Sequence, residues 1–294
     1  MAAHTAFKVG GPADLWVRPR GDCFPGFTAA LLFEARSLGI PLFILGGGAN
    51  LVVSDAGIRG IVLDTSGWTG CTGDGPVLRF RAGTAVDDAV EAAAERGLGG
   101  LEFLAGMPGA IGGAVWMNAR CYGRQVSDAL LRTEIVEHSP LDGSLNRVWV
   151  PCKSEDFGYK RSPFQKRSPL ILAAEFGLEK RAVPEIRREM AEHRRDREEK
   201  GHYRYPSAGS VFKNSREFGK PTGKIIDELG LRGYSVGGAQ VAPWHGNIII
   251  NTGNATAADI RELMEQAAEK VRDATGFVLE PEIIFAGEWD LSNT

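Results

Sequence analysis

The sequence predicts an α+β fold, and three observations carry that prediction. Short apolar strand signals alternate with helical stretches through the first third of the chain. Glycine supplies 38 of the 294 residues, about 13% against ~7% typically, while proline, at 15, is ordinary and shows no period of three. A charge-dense stretch over 183–200 separates this glycine-rich region from a more helical C-terminal third. At ~150 residues per domain, the length suggests about two domains. The 43% hydrophobic and 24% charged fractions are those of a globular chain and exclude disorder for most of it. A net charge of −3 carries no basic footprint, so no nucleic-acid partner is expected. No apolar run approaches the ~20 residues that span a bilayer, and residues 1–8 lack the apolar core of a signal peptide. Cys23, Cys71, Cys121 and Cys152 lie more than 30 residues apart, which reads as neither zinc ribbon nor disulfide framework. A reducing, cytoplasmic setting without a metal site is expected.

The elements follow in chain order. Residues 25–38 are an apolar-rich helix. Pro41 to Leu45 is a strand running into Gly46-Gly47-Gly48, and Leu51–Val53 and Gly60–Leu63 are strands split by the Asp55-Ala56-Gly57 turn. Val77–Arg81 alternates as a strand. Thr84 is the expected N-cap of a helix reaching about Arg96, with Asp87 and Asp88 in its first turn. Thr133–Glu137, Arg147–Val150 and Leu170–Phe176 are further strands. Residues 183–200 hold six basic and six acidic side chains and predict a solvated helix laced with i,i+4 pairs, serving as a hinge. A helix near 221–229, a strand near 247–251, a helix over 257–274 capped by Thr256 and Asp259, and a final strand Phe277–Phe285 complete the chain.

Four segments can carry chemistry. In Leu45-Gly46-Gly47-Gly48-Ala49-Asn50-Leu51, residues without Cβ atoms let backbone N–H groups converge on an anion; the alternative is a tight turn between strands. No Gly-Lys-Ser/Thr follows, and Leu51 stands where a dinucleotide fingerprint needs its third glycine. The second segment, Gly106-Met107-Pro108-Gly109-Ala110-Ile111-Gly112-Gly113-Ala114, leads into Val115-Trp116-Met117-Asn118; it reads as backbone wrapped on a phosphorylated ligand, or as an interior loop. Two such loops favour a large ligand with two phosphates. The third, Tyr205 to Asn214, exposes Ser210 beside Lys213 and Asn214, or is an ordinary turn; the G-x-S-x-G elbow of a triad nucleophile is absent. In the fourth, Leu279-Glu280-Pro281-Glu282-Ile283, two carboxylates two residues apart share a strand face, and Pro281 restricts that strand to an edge or bulge.

Together these segments resemble the UDP-N-acetylenolpyruvoylglucosamine reductase (MurB, UDP-N-acetylmuramate dehydrogenase) family almost end to end. The matching stretches also include His4–Ala13, Gly57–Gly60, Tyr159–Ser162, Gly238–Val241 with His245, and Asn251–Thr256. The direct run from Ser162 to the charged helix is similar to the shorter, second subtype.

The resemblance implies a vanillyl-alcohol-oxidase/PCMH-type FAD-binding fold over residues 1–182, in two subdomains of about 1–64 and 65–182. A separate α+β substrate domain follows over 183–294, its last residues expected to return to the first subdomain. It implies an oxidoreductase that uses noncovalent FAD and NADPH to convert UDP-N-acetylglucosamine enolpyruvate into UDP-N-acetylmuramate. That reaction serves peptidoglycan synthesis, and with it cell shape and division. Both glycine loops (Leu45 to Leu51; Gly106, Met107, Pro108, Gly109, Ile111, Gly112, Gly113 and Ala114) and Asn118 would hold FAD. Ser210 would be the proton donor and Glu282 its partner. Tyr159, Lys213, Asn214, Gln240 and His245 would bind substrate. Two departures stand out. The family's Tyr-Arg-x-Ser reads Tyr159-Lys160-Arg161-Ser162, so either Lys160 or Arg161 supplies the cation, and lysine lacks the planar fork of arginine. A glycine is usual at Arg120, where a left-handed backbone would be strained with arginine. The rival classes are a flavin oxidase of the same fold, disfavoured because neither loop holds a histidine for a covalent flavin, and a nucleotide-binding protein without catalysis.

Overall fold

The computed structural model describes residues 1–138 and 145–289; residues 290–294, part of the segment expected to return, lie outside them. The chain forms two compact units: 1–14, 48–59 and 197–294 make one, and 15–47 and 60–196 the other. This division differs from the expected boundary at 182/183, which falls at the start of the charged helix.

The larger unit is organised around a five-stranded antiparallel sheet in the order Leu145–Pro151, Leu130–His138, Leu170–Gly177, Val77–Arg81, Cys71–Thr72. Leu78, Phe80, Ile171 and Phe176 project from it into one core. The helix Val86–Glu95 adds Val86, Ala89, Val90, Ala93 and Ala94, an i, i+3, i+4 stripe that turns one face into the same core. Its expected cap is corrected: Ala85 holds the N-cap position, and the Thr84 hydroxyl is instead bonded to both the N–H and the carbonyl of Gly70. Elsewhere in this unit Leu42–Leu45 pairs in parallel with Ile61–Asp64, after the helix Phe24–Ser37.

The charged helix forms as expected, over Val183–Glu199, but one side of it is not solvated. Ile186 and Met190 are buried in the core of the larger unit. Arg187 pairs with Glu91, and Arg194 with both Asp87 and Glu91 on the helix Val86–Glu95, while Arg181 bonds the buried Glu102 and Glu189. Two arginines thus tie this helix to the helix Val86–Glu95, while Glu185, Arg188, Glu192, Arg195, Glu198 and Glu199 are exposed as the solvated reading expects, and most of the segment belongs to the larger unit.

The other unit packs the helix Ala257–Thr275 on a small antiparallel sheet, Ser235–Val236, Ala239–Val241 and Ile249–Asn251. Thr256 and Asp259 form the predicted capping box. Asp55 adds two bonds to the same helix end, accepting from the N–H groups of Ala257 at 2.9 Å and Ala258 at 3.0 Å. The predicted strand Phe277–Phe285 is reduced to Ile284–Ala286, paired in parallel with Leu51–Val53. Pro281 bridges Phe212 through the backbone bonds of its neighbours Glu280 and Glu282, and its missing N–H leaves the opposite side of this stretch without a donor.

Candidate functional site

Within the larger unit the two glycine loops touch. A Cβ on Gly47 would lie 2.6 Å from the Gly109 Cα and 3.0 Å from the Ala110 nitrogen, so only glycine allows this approach. The Gly106–Ala114 loop is pinned to the start of the helix Val86–Glu95. Val86 N–H donates to the Gly109 carbonyl at 3.1 Å, Ile111 N–H to the Thr84 carbonyl at 2.9 Å, and Gly106 N–H to Asp87 at 2.7 Å. The backbone N–H groups of Gly47 and Gly113 meet no acceptor among the described residues. A Cβ on Gly113 would meet nothing within 4 Å. Unpaired donors beside open space, on backbone stripped of side chains, are what a phosphate-bearing cofactor requires, and the loops fit FAD on that ground. Leu45, Leu51, Ile111 and Ala114 place their side chains in buried positions, so these residues can offer a ligand only their backbone. Met107 is half-buried against the core, and Pro108 is exposed.

Asn118 is fully buried with a left-handed backbone. Its carboxamide donates to the Gly158 carbonyl at 2.9 Å and accepts from Ser127 N–H at 3.0 Å. It thereby joins the second glycine loop to the Tyr159–Ser162 turn, which Ser162 also secures by donating to the Trp116 carbonyl at 2.6 Å. Gly158 and Arg161 close that turn by exchanging backbone bonds, with Lys160 at φ 55°. The Arg161 guanidinium lies back along Gly158. The strain anticipated at Arg120 does not arise. Asn118 and Tyr122 take the positive φ, while Arg120 sits in a short strand with its guanidinium over the Tyr159 ring, 5.6 Å from the centroid.

In the other unit, Ser210 and Glu282 lie 72 residues apart in sequence and are brought to adjacent backbone positions. Glu282 N–H donates to the Val211 carbonyl, and Lys213 N–H to the Glu280 carbonyl, both at 2.8 Å. Ser210 itself bridges to Ile248. Two carboxamides fix this arrangement, and only one was expected to matter. Asn50, read above as part of the flavin loop, donates to the Glu282 carbonyl at 3.0 Å. Asn247 was missed. It is 2% exposed, accepts from Phe212 N–H at 3.0 Å and donates to the Phe212 carbonyl at 2.8 Å. Its sequence signal is a lone amide at the head of the apolar run Ile248-Ile249-Ile250. The two carboxylates differ: Glu280 is 70% exposed and pairs with Lys213, whereas Glu282 is half-buried.

Three other expected substrate residues bond locally. The Asn214 carboxamide accepts from Thr222 N–H at 2.9 Å, Gln240 donates to Ser235 at 3.0 Å, and His245 Nδ1 accepts from Asn247 N–H at 3.1 Å. Burial pushes the His245 imidazole below the usual histidine range against the pull of Asp227, with Arg232 and Lys200 adding to the fall. Tyr159 is exposed. Among the described residues no group of three or more His, Cys, Asp or Glu is placed to hold a metal, and no helix is long and apolar enough to cross a membrane.

Comparison with known proteins decides the family. A family model described as the C-terminal domain of UDP-N-acetylenolpyruvoylglucosamine reductase matches residues 201–286, and one described as an FAD binding domain matches 28–140. The UDP-N-acetylenolpyruvoylglucosamine reductase of Treponema denticola is 41% identical over 97% of this chain and 91% of its own length. This chain belongs to the UDP-N-acetylenolpyruvoylglucosamine reductase family. The reductase of Treponema pallidum is 40% identical over 98% of this chain and 92% of its own. The crystal structure of the Thermus caldophilus reductase superposes with a TM-score of 0.77 at 34% identity, covering 97% of both chains. The fold is accordingly the FAD-binding α+β architecture that the resemblance implied, and the chain is a flavin-dependent oxidoreductase of this family.

Proposed function

We propose that the chain reduces the enolpyruvyl group of UDP-N-acetylglucosamine enolpyruvate to UDP-N-acetylmuramate, with NADPH as reductant, in the cytoplasmic stage of peptidoglycan synthesis. The observation that carries this reading is the pairing of the Ser210 and Glu282 segments, on a chain whose glycine loops suit a flavin. FAD, which the Gly46–Asn50 and Gly106–Gly113 loops would hold, would supply the hydride for the terminal carbon of the enolpyruvyl double bond.

Charge then develops on the adjacent carbon and its carboxylate. Ser210 gives its hydroxyl proton to that carbon, a centre basic enough to take it, and recovers a proton from solvent. Glu282, with its backbone held by Val211 and Asn50, orients the reacting group. A cation from Lys160 or Arg161 stabilises the developing charge more than the ground state. The Asn50 and Asn247 carboxamides hold the Ser210–Glu282 pairing before substrate arrives, so no reorganisation is needed during the reaction.

The test is anaerobic. The purified protein should show a flavin spectrum, lose it on NADPH addition, and regain it on addition of UDP-N-acetylglucosamine enolpyruvate. Reoxidation by O₂ alone, with no response to the enolpyruvyl sugar, would overturn the reading in favour of an oxidase.

A further inference from the structure

Within the larger unit, the helix Phe24–Ser37 is apolar on more sides than the fold uses. Phe24, Pro25, Thr28 and Ala35 are buried, and Leu31 and Leu32 lie half-buried against the cluster that holds Leu63, Trp68 and Leu172. The opposite side carries Gly26, Phe27, Ala30, Phe33, Glu34 and Ser37, all exposed and spaced to share one face. Phe27 is 45% and Phe33 50% exposed, and Leu38, one turn beyond Glu34, is 69% exposed. Glu34 and Arg36 are the helix's two charged residues. The helix Val86–Glu95 is the contrast, because its outward positions hold Asp88 and Glu95. A helix that is apolar all round belongs in an interior, and large apolar side chains left in water mark a face that something covers.

This face is complementary to itself in the antiparallel sense. Phe27 and Phe33 stand three residues either side of Ala30, on opposite flanks of the line through Ala30. A two-fold axis at Ala30 sets each Phe33 on the flank where the partner's Gly26 and the partner's Ala29 leave room for a ring. Each Phe27 then meets the partner's Leu31 and the stem of the partner's Glu34. Alanine against alanine at the axis permits a close approach of the two helices, about 8 Å between their axes. Charge agrees with this register. Glu34 comes level with the partner's Gly26, in the first turn of a helix that no side chain caps and that has no acidic residue there. Asp22, just before that turn, is engaged by Arg81 at 3.2 Å. A carboxylate is favoured at the positive end of a helix, whereas a parallel pairing would align like ends. The area is sufficient. Each phenylalanine exposes about half of roughly 200 Å², and Leu38 brings the apolar total to roughly 300 Å² per chain. Two such faces, with a polar rim of about 40%, come to roughly 1,000 Å², where specific interfaces begin.

We propose that a second copy of this chain covers the face, through an antiparallel, two-fold pairing of the helices Phe24–Ser37 centred on Ala30. Sedimentation of the whole, FAD-loaded chain across a concentration series should show a reversible monomer–dimer equilibrium. Phe33→Asp and Ala30→Glu each put a charge into the dry centre and should raise the dimer Kd about a hundred-fold, while Glu34→Gln should raise it about five-fold. Flavin content should be the same in all of them, since none touches the glycine loops. The register has its own measurement, which stands even if the charged variants fold poorly. Under a mild oxidant, Ala30→Cys should cross-link two chains, because the substituted positions meet at the axis. The wild type should not cross-link through its exposed Cys23, whose two copies would lie about 20 Å apart along the helices. A protein that is monomeric at every concentration, a dimer indifferent to both Phe33→Asp and Ala30→Glu, or cross-linking through Cys23 in place of Ala30→Cys would overturn the pairing.

Discussion

The glycine loops and the Ser210 strand are built by opposite means. At Gly47 and Gly109 the site is made by leaving side chains out, so that two backbones meet and their N–H groups stay available. Around Ser210 the site is made by adding side chains at a distance. Asn50 and Asn247 spend their carboxamides on the backbone of Glu282 and Phe212, which fixes the backbone from which the Ser210 and Glu282 side chains project. The first kind of site fails by collision. The second fails by degrees, because each support removed loosens a pairing that others still hold.

The largest effect should come from the collision. Gly47→Val places methyl groups into the Gly109 backbone and should yield protein without flavin, with the unit holding Ser210 still folded. The sharper variant is Gly113→Val. Its side chain enters open space, so the protein should fold with an unchanged far-ultraviolet spectrum and still lose FAD. The ratio of flavin to protein absorbance measures both, and a Gly113→Val protein with full flavin would place the cofactor elsewhere.

Next in size is the Ser210 strand. Ser210→Ala and Glu282→Gln should each leave flavin reduction by NADPH near wild type and slow transfer to the enolpyruvyl sugar by orders of magnitude, as read by stopped-flow. Glu280→Gln should change far less, since its carboxylate is exposed and its pair with Lys213 is worth about 0–1 kcal/mol. Equal slowing of both half-reactions in Ser210→Ala would make the serine structural.

The cation separates two neighbours. Lys160→Ala should cost ~3 kcal/mol or more in turnover, by analogy with a lost oxyanion donor, and Arg161→Ala should cost less. Steady-state kcat for the two variants decides it, and a crippled Arg161→Ala would show that the motif is read one residue out of register.

Asn247→Leu tests the supporting amides. It strands the N–H and carbonyl of Phe212 in the core at about 1–3 kcal/mol each, so Tm should fall by several degrees, with a smaller loss of transfer rate than in Ser210→Ala. The smallest effect is that of His245. Its imidazole binds a proton less readily folded than unfolded, so stability should rise with pH up to the ordinary value of 6.5 and level off above it. Thermal melts across that range should show the rise in the wild type and a flatter profile in His245→Gln.

The sequence by itself determined the elements and the chemistry-bearing loops. Apolar periodicity gives the helix Val86–Glu95, the Thr256/Asp259 spacing gives a capping box, and glycine runs mark where backbone must come close, all of them signals held within a few residues. What only the tertiary structure decided is how distant segments share backbone groups. The Thr84 hydroxyl turns to Gly70 instead of capping its helix because that partner lies 14 residues back. Arg187 and Arg194 answer to Asp87 and Glu91, about a hundred residues away, and so anchor one side of a helix that composition alone reads as a solvated hinge. Asn247 looks like any polar residue heading a strand until Phe212 is found beside it. Local propensity is written in neighbouring residues, whereas hydrogen bonds between remote segments are fixed only when the whole chain has packed.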